Sequence, residues 1–281
     1  MTVSYYSGAN SFLFPETRSQ ELCPIQDTIK KLVNPSSAHK TVFPEVEDSK
    51  FNPWPVLHHA QHRSIYITMS TPNQPRNVYL VGAHCTGKTT LVEGLRAHLS
   101  TNLVSELYGE DAECPAIVDE LVRNIMRTDG FTASDVRLPT KGLELQKRTI
   151  LAQHQAEVSL GNKWFISDRS GIDPIVYAEV FLGRPEAEKL AEMKEWHVLR
   201  EKMKAYVIVC EPENASWLST DRVRVACNDV EEWRSIARAF RTALQNHGIP
   251  HVTIPVGIED LGKRVQFVEE LLRSSAKSGM F

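Results

Sequence analysis

Short apolar runs separated by amphipathic stretches make up the chain from residue 76 onwards. The runs are NVYLV, PAIVD, KWFIS, AYVIVC and HVTIPV, at residues 77–81, 115–119, 163–167, 205–210 and 251–256. Strands of a parallel sheet are buried on both faces, so they read as continuous apolar runs rather than as an alternation of apolar and polar residues. The pattern predicts an α/β fold with a five-stranded, mostly parallel sheet covered by helices on both faces.

The stretches between these runs carry apolar residues at helical spacing. They lie at residues 91–99, 121–126, 143–160, 230–244 and 261–272. Spacings of three and four residues place such side chains on one face of a helix, so each stretch predicts an amphipathic helix. The segment NDVEE, residues 228–232, predicts an N-cap with a capping box. Gly161 and Gly248 predict the C-terminal ends of two helices.

The first quarter of the chain has a different character. It contains eight of the 15 prolines, at positions 15, 24, 35, 44, 53, 55, 72 and 75, and little regular periodicity. Proline fixes φ and removes a backbone donor, so this segment predicts extended chain and turns. We therefore expect a Pro-rich N-terminal extension over residues 1–75 and one α/β domain over residues 76–281.

Charge and cysteine content limit the classes of function that are expected for this protein. The 32 basic and 35 acidic residues give a net charge of −3, which provides no general signal for nucleic acid or an anionic membrane. The five cysteines are scattered and form no CxxC pair, as expected for reduced thiols in the cytoplasm. The N-terminus lacks a secretory signal pattern, and no apolar window approaches the roughly 20 residues that span a bilayer.

The segment GAHCTGKT, residues 82–89, matches G-x-x-x-x-G-K-[ST] in full and follows a predicted strand. Glycines allow positive φ, so the loop turns its amides towards phosphate oxygens, assisted by the start of the next helix. Lys88 is expected to reach the β- and γ-phosphates and the Thr89 hydroxyl to coordinate Mg²⁺. His84 and Cys85 are expected to contribute only backbone amides. The predicted nucleotide-binding residues are Gly82, Ala83, His84, Cys85, Thr86, Gly87, Lys88, Thr89 and Thr90.

Charged residues follow two further predicted strands. Glu120 and Arg123 follow the second strand, and Asp168, Arg169 and Ser170 follow the third. Ligands of open parallel sheets bind beyond the carboxyl ends of the strands. A carboxylate there can hold the magnesium with its water shell, as expected for Asp168, or accept a proton from an attacking hydroxyl, as expected for Glu120 or Asp168. An arginine there can bind phosphate or orient the acceptor. The alternative interpretation is an N-cap acid and a surface ion pair.

A third basic segment, DRVR at residues 221–224, lies in an irregular stretch before the capped helix. Arg222 and Arg224 are expected to close over the nucleotide, which neutralises charge on the transferred phosphoryl group and excludes water. The alternative interpretation is a solvated basic loop.

Several motifs together resemble the NadR-like AAA family, which includes the ribosylnicotinamide kinase part of NadR and a eukaryotic GTP-binding trafficking protein. The resemblance runs from residue 77 to the C-terminus. It rests on GAHCTGKTT, on the E-x-x-R of residues 120–123, on GFTASDVR, on ELQ at residues 144–146 and on ISDRSGIDPIVYAEVFLG. The sequence shows no adenylyltransferase domain of the kind that accompanies the kinase in NadR, so the resemblance does not fix nicotinamide riboside as the substrate.

The resemblance implies a P-loop fold similar to nucleoside and nucleotide kinases, with a mobile lid. It implies that Glu120 acts as the general base. It also implies that Asp168, Arg169 and Ser170 form the family's D/E-R-S signature, with the arginine near the acceptor. Gln146 lies where related nucleoside kinases place a glutamine that recognises the base, and Arg123 completes the substrate-binding set.

These observations lead to three functional hypotheses. The first is a kinase that uses ATP or GTP with Mg²⁺ to phosphorylate a small molecule, such as a nucleoside or ribosyl compound. The second is a nucleotide-switched regulatory or trafficking protein with slow hydrolysis, in which the Pro-rich extension is the expected partner surface. The third is a polynucleotide 5′-kinase, which the nearly balanced charge disfavours.

Overall fold

The computed structural model describes residues 74–218 and 227–278, and in these residues a five-stranded, all-parallel sheet is the central element. The strands are β1 (Val78–Val81), β2 (Ala116–Val118), β3 (Phe165–Asp168), β4 (Tyr206–Val209) and β5 (Val252–Thr253). Their order is β2-β3-β1-β4-β5, so β1 is the middle strand, paired with β3 and β4. All five predicted strands are confirmed.

Nine α-helices surround this sheet in the described part of the chain. They are α1 (Lys88–His98), α2 (Thr101–Tyr108), α3 (Leu121–Asp129), α4 (Pro139–Ser159), α5 (Ile172–Leu182), α6 (Arg184–Ala191), α7 (Lys194–Lys202), α8 (Val230–Asn246) and α9 (Leu261–Ser278). Two short 3₁₀ helices cover Ala133–Arg137 and Ala215–Trp217. No helix among these residues has the length and apolar character to cross a bilayer.

The two faces of the sheet are buried by different helices, as the continuous apolar runs predicted. Val78 and Leu80 of β1 face a core that includes residues of α1, α2 and α9. Tyr79 and Val81 face the opposite, larger core, built mainly from α3 to α8. All four β1 side chains are fully buried, which fixes the central strand and therefore the start of the loop that follows it.

Local signals position the helix ends. The Asp229 carboxylate accepts a hydrogen bond from the Glu232 amide at 2.7 Å, and the Glu232 carboxylate accepts one from the Asn228 amide at 2.6 Å. These two contacts confirm the predicted cap of α8. Gly248, just beyond the end of α8, adopts a φ of 65°, as expected for a glycine that ends a helix.

One buried polar network crosses the larger core. The Tyr79 hydroxyl donates to Glu157 Oε2 at 2.9 Å. Gln153 Nε2 donates to Glu157 Oε1 at 2.9 Å and to Ser167 Oγ at 3.0 Å. Glu157 is fully buried, and this burial raises the pKa of its carboxyl group to about 7. The network ties α4 to β1 and β3 through a group whose charge state depends on pH near neutrality.

Candidate active site

The loop after β1 turns sharply at two glycines. Gly82 has a φ of 130° and Gly87 a φ of 75°, both in the region that favours glycine. A Cβ atom on Gly82 would lie 2.4 Å from the carbonyl oxygen of Cys210, which follows β4. Only glycine therefore fits where the loop leaves the sheet. Gly87 is the N-cap of α1, so the loop ends at a helix N-terminus, where unpaired amides favour anions.

Lys88 lies buried against this loop. Its Nζ donates to the carbonyl oxygens of Gly82 at 2.8 Å and Ala83 at 2.5 Å. Burial, followed by the nearby positive charge of Arg169, lowers the pKa of Lys88, while Asp173 and Asp168 oppose the shift. The structure thus places a desolvated ammonium group at the loop, where its attraction for a phosphate is stronger than in water.

Thr89 and Asp168 form a direct contact between α1 and β3. Asp168 is the last residue of β3, paired with Leu80 of β1, and its Oδ2 accepts a hydrogen bond from the Thr89 hydroxyl at 2.5 Å. Asp168 Oδ1 is buried and has no hydrogen-bond partner in the part of the chain that the structure describes. Burial raises the pKa of Asp168, opposed by Lys88 and Arg169. A hydroxyl beside a carboxylate with an unpartnered oxygen fits Mg²⁺, which prefers oxygen ligands and binds through one or two protein groups.

Glu120 is held by two arginines at the neighbouring strand ends. Arg169 Nε and Nη2 both lie 2.6 Å from Glu120 Oε1, and Arg123 forms an ion pair with Oε2. Although burial raises the pKa of Glu120, the two arginines outweigh it and lower this pKa to about 2. Glu120 is the N-cap residue of α3, yet its side chain makes no cap hydrogen bond. The Glu120 side chain therefore does not cap α3, and its partners are the two arginines.

Ser170 and Arg169 share a second acid, Asp173, which the sequence patterns did not single out. Asp173 Oδ2 accepts hydrogen bonds from the Ser170 amide at 2.9 Å and hydroxyl at 3.1 Å, and Oδ1 contacts Arg169 Nη1 at 3.3 Å. Burial raises the pKa of Asp173 to about 6, against Arg169 and Lys88. The Ser170–Asp173 spacing at the start of α5 resembles a cap, and this was the available signal.

His84 makes side-chain and backbone contacts that the sequence did not predict. Its amide and its Nδ1 both contact the Tyr177 hydroxyl of α5, at 3.0 and 3.1 Å. Its carbonyl oxygen accepts a hydrogen bond from Trp233 Nε1 of α8 at 2.6 Å, and its Nε2 lies 3.3 Å from the Cys227 sulfur. His84 therefore connects the phosphate loop to two helices of the larger core.

Arg264 of α9 also contacts the phosphate loop, and the sequence patterns did not predict this contact. Its Nη2 donates to the Thr86 carbonyl at 3.0 Å, and a Cβ on Gly87 would lie 2.5 Å from its Nη1. Arg264 is buried beside the apolar positions Leu261 and Val265. An arginine next to the apolar face of an amphipathic helix is the only local signal, and it does not reveal a partner 178 residues away.

The remaining predicted residues divide into three groups. Thr90 is exposed and Arg123 partly exposed, whereas Gln146 is buried on α4. Arg222 and Arg224 lie outside the described residues, as does nearly all of the predicted extension over residues 1–75. The described residues that come together at the carboxyl edge are Lys88, Thr89, Glu120, Arg123, Asp168, Arg169 and Ser170.

A family model described as an AAA domain matches residues 77–260. No curated protein matches the sequence significantly. Among solved structures, the chain is similar to deoxyadenosine kinase from M. mycoides (13% identity, 70% of this chain and 99% of that chain, TM-score 0.45). It is also similar to shikimate kinase from Acinetobacter baumannii (15%, 72% and 94%, TM-score 0.41). A third is thymidylate kinase from Ehrlichia chaffeensis (14%, 71% and 100%, TM-score 0.40).

Proposed function

This chain belongs to the AAA-domain family, and we propose that it transfers a phosphoryl group from ATP or GTP to a hydroxyl of a small molecule. One observation carries the proposal. Arg169 holds the Glu120 carboxylate next to the residue, Asp168, that contacts the hydroxyl of the phosphate loop. We infer that Glu120 receives the proton of the acceptor hydroxyl near the expected position of the terminal phosphate.

The donor half of the site is the loop of residues 82–89. Its amides and the N-terminus of α1 bind the phosphate chain, and Lys88 stabilises the negative charge that develops during transfer. Mg²⁺ would be held by Thr89 and Asp168, and when bound it neutralises charge on the phosphate oxygens. Arg222 and Arg224 remain proposals for the groups that close over the nucleotide.

The acceptor half lies at the ends of β2 and β3. Glu120 is ionised at neutral pH, because its pKa is about 2, and Arg169 and Arg123 fix its orientation. A carboxylate of such low basicity suits a loose transition state, in which the hydroxyl proton leaves late. We propose that Glu120 orients the acceptor hydroxyl and takes its proton, while Asp168 remains with Thr89. Arg123, Gln146 and Ser170 remain proposed binding residues for a nucleoside or ribosyl acceptor.

The test is a coupled assay of ADP and GDP release across nucleosides, ribosyl compounds and other small alcohols. The proposal predicts an acceptor that raises nucleotide turnover in the wild type and has no effect in Lys88→Ala. It also predicts a phosphorylated product detectable by mass spectrometry. If no acceptor raises turnover above the Lys88→Ala background, the kinase assignment is wrong.

One observation favours the second function, a nucleotide-dependent switch. His84, inside the phosphate loop, is bonded to Tyr177 of α5 and Trp233 of α8. A change in the loop on nucleotide binding would therefore reach two helices directly. Partner binding that differs between diphosphate and triphosphate, without any phosphorylated acceptor, would support the switch over the kinase.

A further inference from the structure

The hydroxyl of Tyr177 on α5 is bonded to the phosphate loop by two contacts. The His84 amide donates to this oxygen at 3.0 Å, and His84 Nδ1 lies 3.1 Å from it. Burial raises the pKa of Tyr177 to about 12, so the hydroxyl keeps its proton at neutral pH. A hydroxyl has one proton to donate, and His84 Nδ1 is in place to accept it. The tyrosine is therefore fixed to both the backbone and the side chain of His84.

Arg169 contacts the same tyrosine from the acceptor half of the site. Its guanidinium carbon lies 5.6 Å from the centre of the Tyr177 ring, within the range of a cation–π interaction. The positive charge of Arg169 also opposes the effect of burial on the pKa of Tyr177. The same guanidinium contacts Glu120 Oε1 at 2.6 Å. A path of contacts therefore leads from the phosphate loop through Tyr177 and Arg169 to Glu120.

Both ends of this path lie at strained backbone. Among the described residues, Cys85 and Arg169 are the non-glycine residues with positive φ, at 58° and 83°. This conformation is unfavourable for a residue with a Cβ atom and persists only where the surroundings hold it. Cys85 follows His84 in the loop, and Asp173 Oδ1 contacts Arg169 Nη1 at 3.3 Å. Tyr177 therefore joins two strained points, each of which depends on its contacts.

We propose that Tyr177 is a positioning residue that transmits the nucleotide state of the phosphate loop to Arg169, and through it to Glu120. The proposal rests on the proposed function, in which Glu120 takes the acceptor proton. A nucleotide that engages the loop amides moves the loop backbone, and the tyrosine hydroxyl moves with it because it is bonded there. Arg169 then changes its position at the ring and reorients the carboxylate that it holds. Donor binding is thereby coupled to the acceptor site.

Trp233 of α8 provides a control, because it bonds to the same loop residue. Its Nε1 donates to the His84 carbonyl oxygen at 2.6 Å. The indole has this one donor, and the loop uses it. Within the described residues, the structure shows no hydrogen bond or ion pair between Trp233 and Arg169. A substitution at Trp233 therefore removes a contact to the loop and leaves the path through Tyr177 in place.

The test follows the Nε–H signal of Arg169 by NMR in the full-length protein with isotope-labelled arginine. Arg169→Lys removes this signal and so identifies it. The probes are ADP and GDP with Mg²⁺, because they lack the terminal phosphate that is expected nearest to the acceptor half. In the wild type we expect the signal to shift on saturation with at least one diphosphate. This titration alone can overturn the proposal, whether or not a variant folds.

Tyr177→Phe is the decisive variant. It keeps the ring that Arg169 contacts and removes only the hydroxyl that is bonded to the loop. It should bind the diphosphate within about threefold of the wild-type affinity, while the shift of the Arg169 signal falls to about half or less. Trp233→Phe is the matched control and should keep the full shift. Thermal unfolding should show that both variants are folded.

Each outcome decides the proposal. An unchanged Arg169 signal in the nucleotide-bound wild type, or an equal shift in Tyr177→Phe, would overturn it. So would an equally large loss of the shift in Trp233→Phe, or the absence of nucleotide binding. Failure of the kinase assignment alone gives a different result: the Arg169 signal responds to nucleotide through Tyr177, yet no acceptor is phosphorylated.

Discussion

Arg169 contacts Glu120 through two guanidinium nitrogens, Nε and Nη2, and each of them lies 2.6 Å from Glu120 Oε1. Both residues follow strands, β2 and β3, that are neighbours in the sheet although 49 positions separate the residues in sequence. The pairing is mostly buried, so it is held in a low-dielectric environment. It fixes a carboxylate beside Asp168 and gives the proposed acceptor site its geometry.

Glu120→Gln should abolish most acceptor phosphorylation with little effect on nucleotide binding. The amide keeps the shape of the carboxylate but cannot receive a proton, and general-base groups contribute about 10²–10⁴-fold to rates. The measurement is kcat with a saturating acceptor, together with the nucleotide Kd. Glu144→Gln, at an exposed ion pair on α4, is the matched control and should keep full activity. Wild-type kcat in Glu120→Gln would remove this residue from the mechanism.

Asp168→Asn should weaken nucleotide binding only when magnesium is present. The substitution removes the charge beside Thr89, and we expect the Kd for the Mg²⁺-nucleotide complex to rise at least about tenfold. Titrations with and without EDTA separate this effect from direct contacts to the nucleotide. Asp119→Asn, at the exposed end of the β2 segment, is the control and should bind like the wild type. An equal loss of affinity with and without metal would contradict the assignment.

Gly82→Ala should be far more destructive than an alanine at another glycine with positive φ. Gly82 has a φ of 130° and would place a Cβ 2.4 Å from the Cys210 carbonyl oxygen, whereas Gly109 has a φ of 101° and open space around it. Gly109→Ala should cost about 1–3 kcal/mol from backbone strain alone. Gly82→Ala should cost more and should prevent nucleotide binding. Urea unfolding and nucleotide titration check both, and equal effects of the two substitutions would contradict the close approach.

Glu157 should make the stability of the domain depend on pH. Its pKa is raised from 4.5 to about 7, so the folded state holds a proton that the unfolded state releases at lower pH. This contribution is fully present below pH 4.5, decreases as the pH rises to about 7, and amounts to about 3 kcal/mol. Glu157→Gln resembles the protonated form.

Unfolding in urea at several pH values, for the wild type and Glu157→Gln, measures that contribution. The difference in unfolding free energy between the two proteins should shift in favour of the variant between pH 5 and 8, by up to about 3 kcal/mol. Other groups with shifted pKa values, such as Asp173, affect both proteins and cancel in the difference. A difference that stays constant with pH would show that Glu157 is ionised throughout.

Much of the fold follows from local sequence patterns. The five apolar runs gave the five strands, and a complete phosphate-loop motif placed between a strand and a helix located the donor site. The short helices were harder to predict from the sequence. α5 buries seven residues in succession from Ile172 to Ala178, so no polar face reveals its helical period. α6 and α7 have eight and nine residues, too few for a clear periodic signal.

The contacts that complete the site could not be read from local sequence. His84 meets Trp233, 149 residues away, and Arg264 meets Thr86, 178 residues away. Local propensity and periodicity carry no information about such pairs, because they are created only when the sheet brings distant loops together. The resemblance of the DRS segment to a kinase signature singled out Asp168 and Arg169 as candidate site residues, but it did not indicate that Asp173 contacts Arg169.

Calorimetric titration of the protein with ATP and with GTP in the presence of Mg²⁺ tests whether the loop of residues 82–89 binds nucleotide phosphates. We expect saturable binding of at least one of them to the wild type, and at least about tenfold weaker binding to Lys88→Ala, which lacks the ammonium group that is expected to contact the phosphates. Absence of heat and of complex formation with both nucleotides, or equal binding to Lys88→Ala, would contradict this expectation.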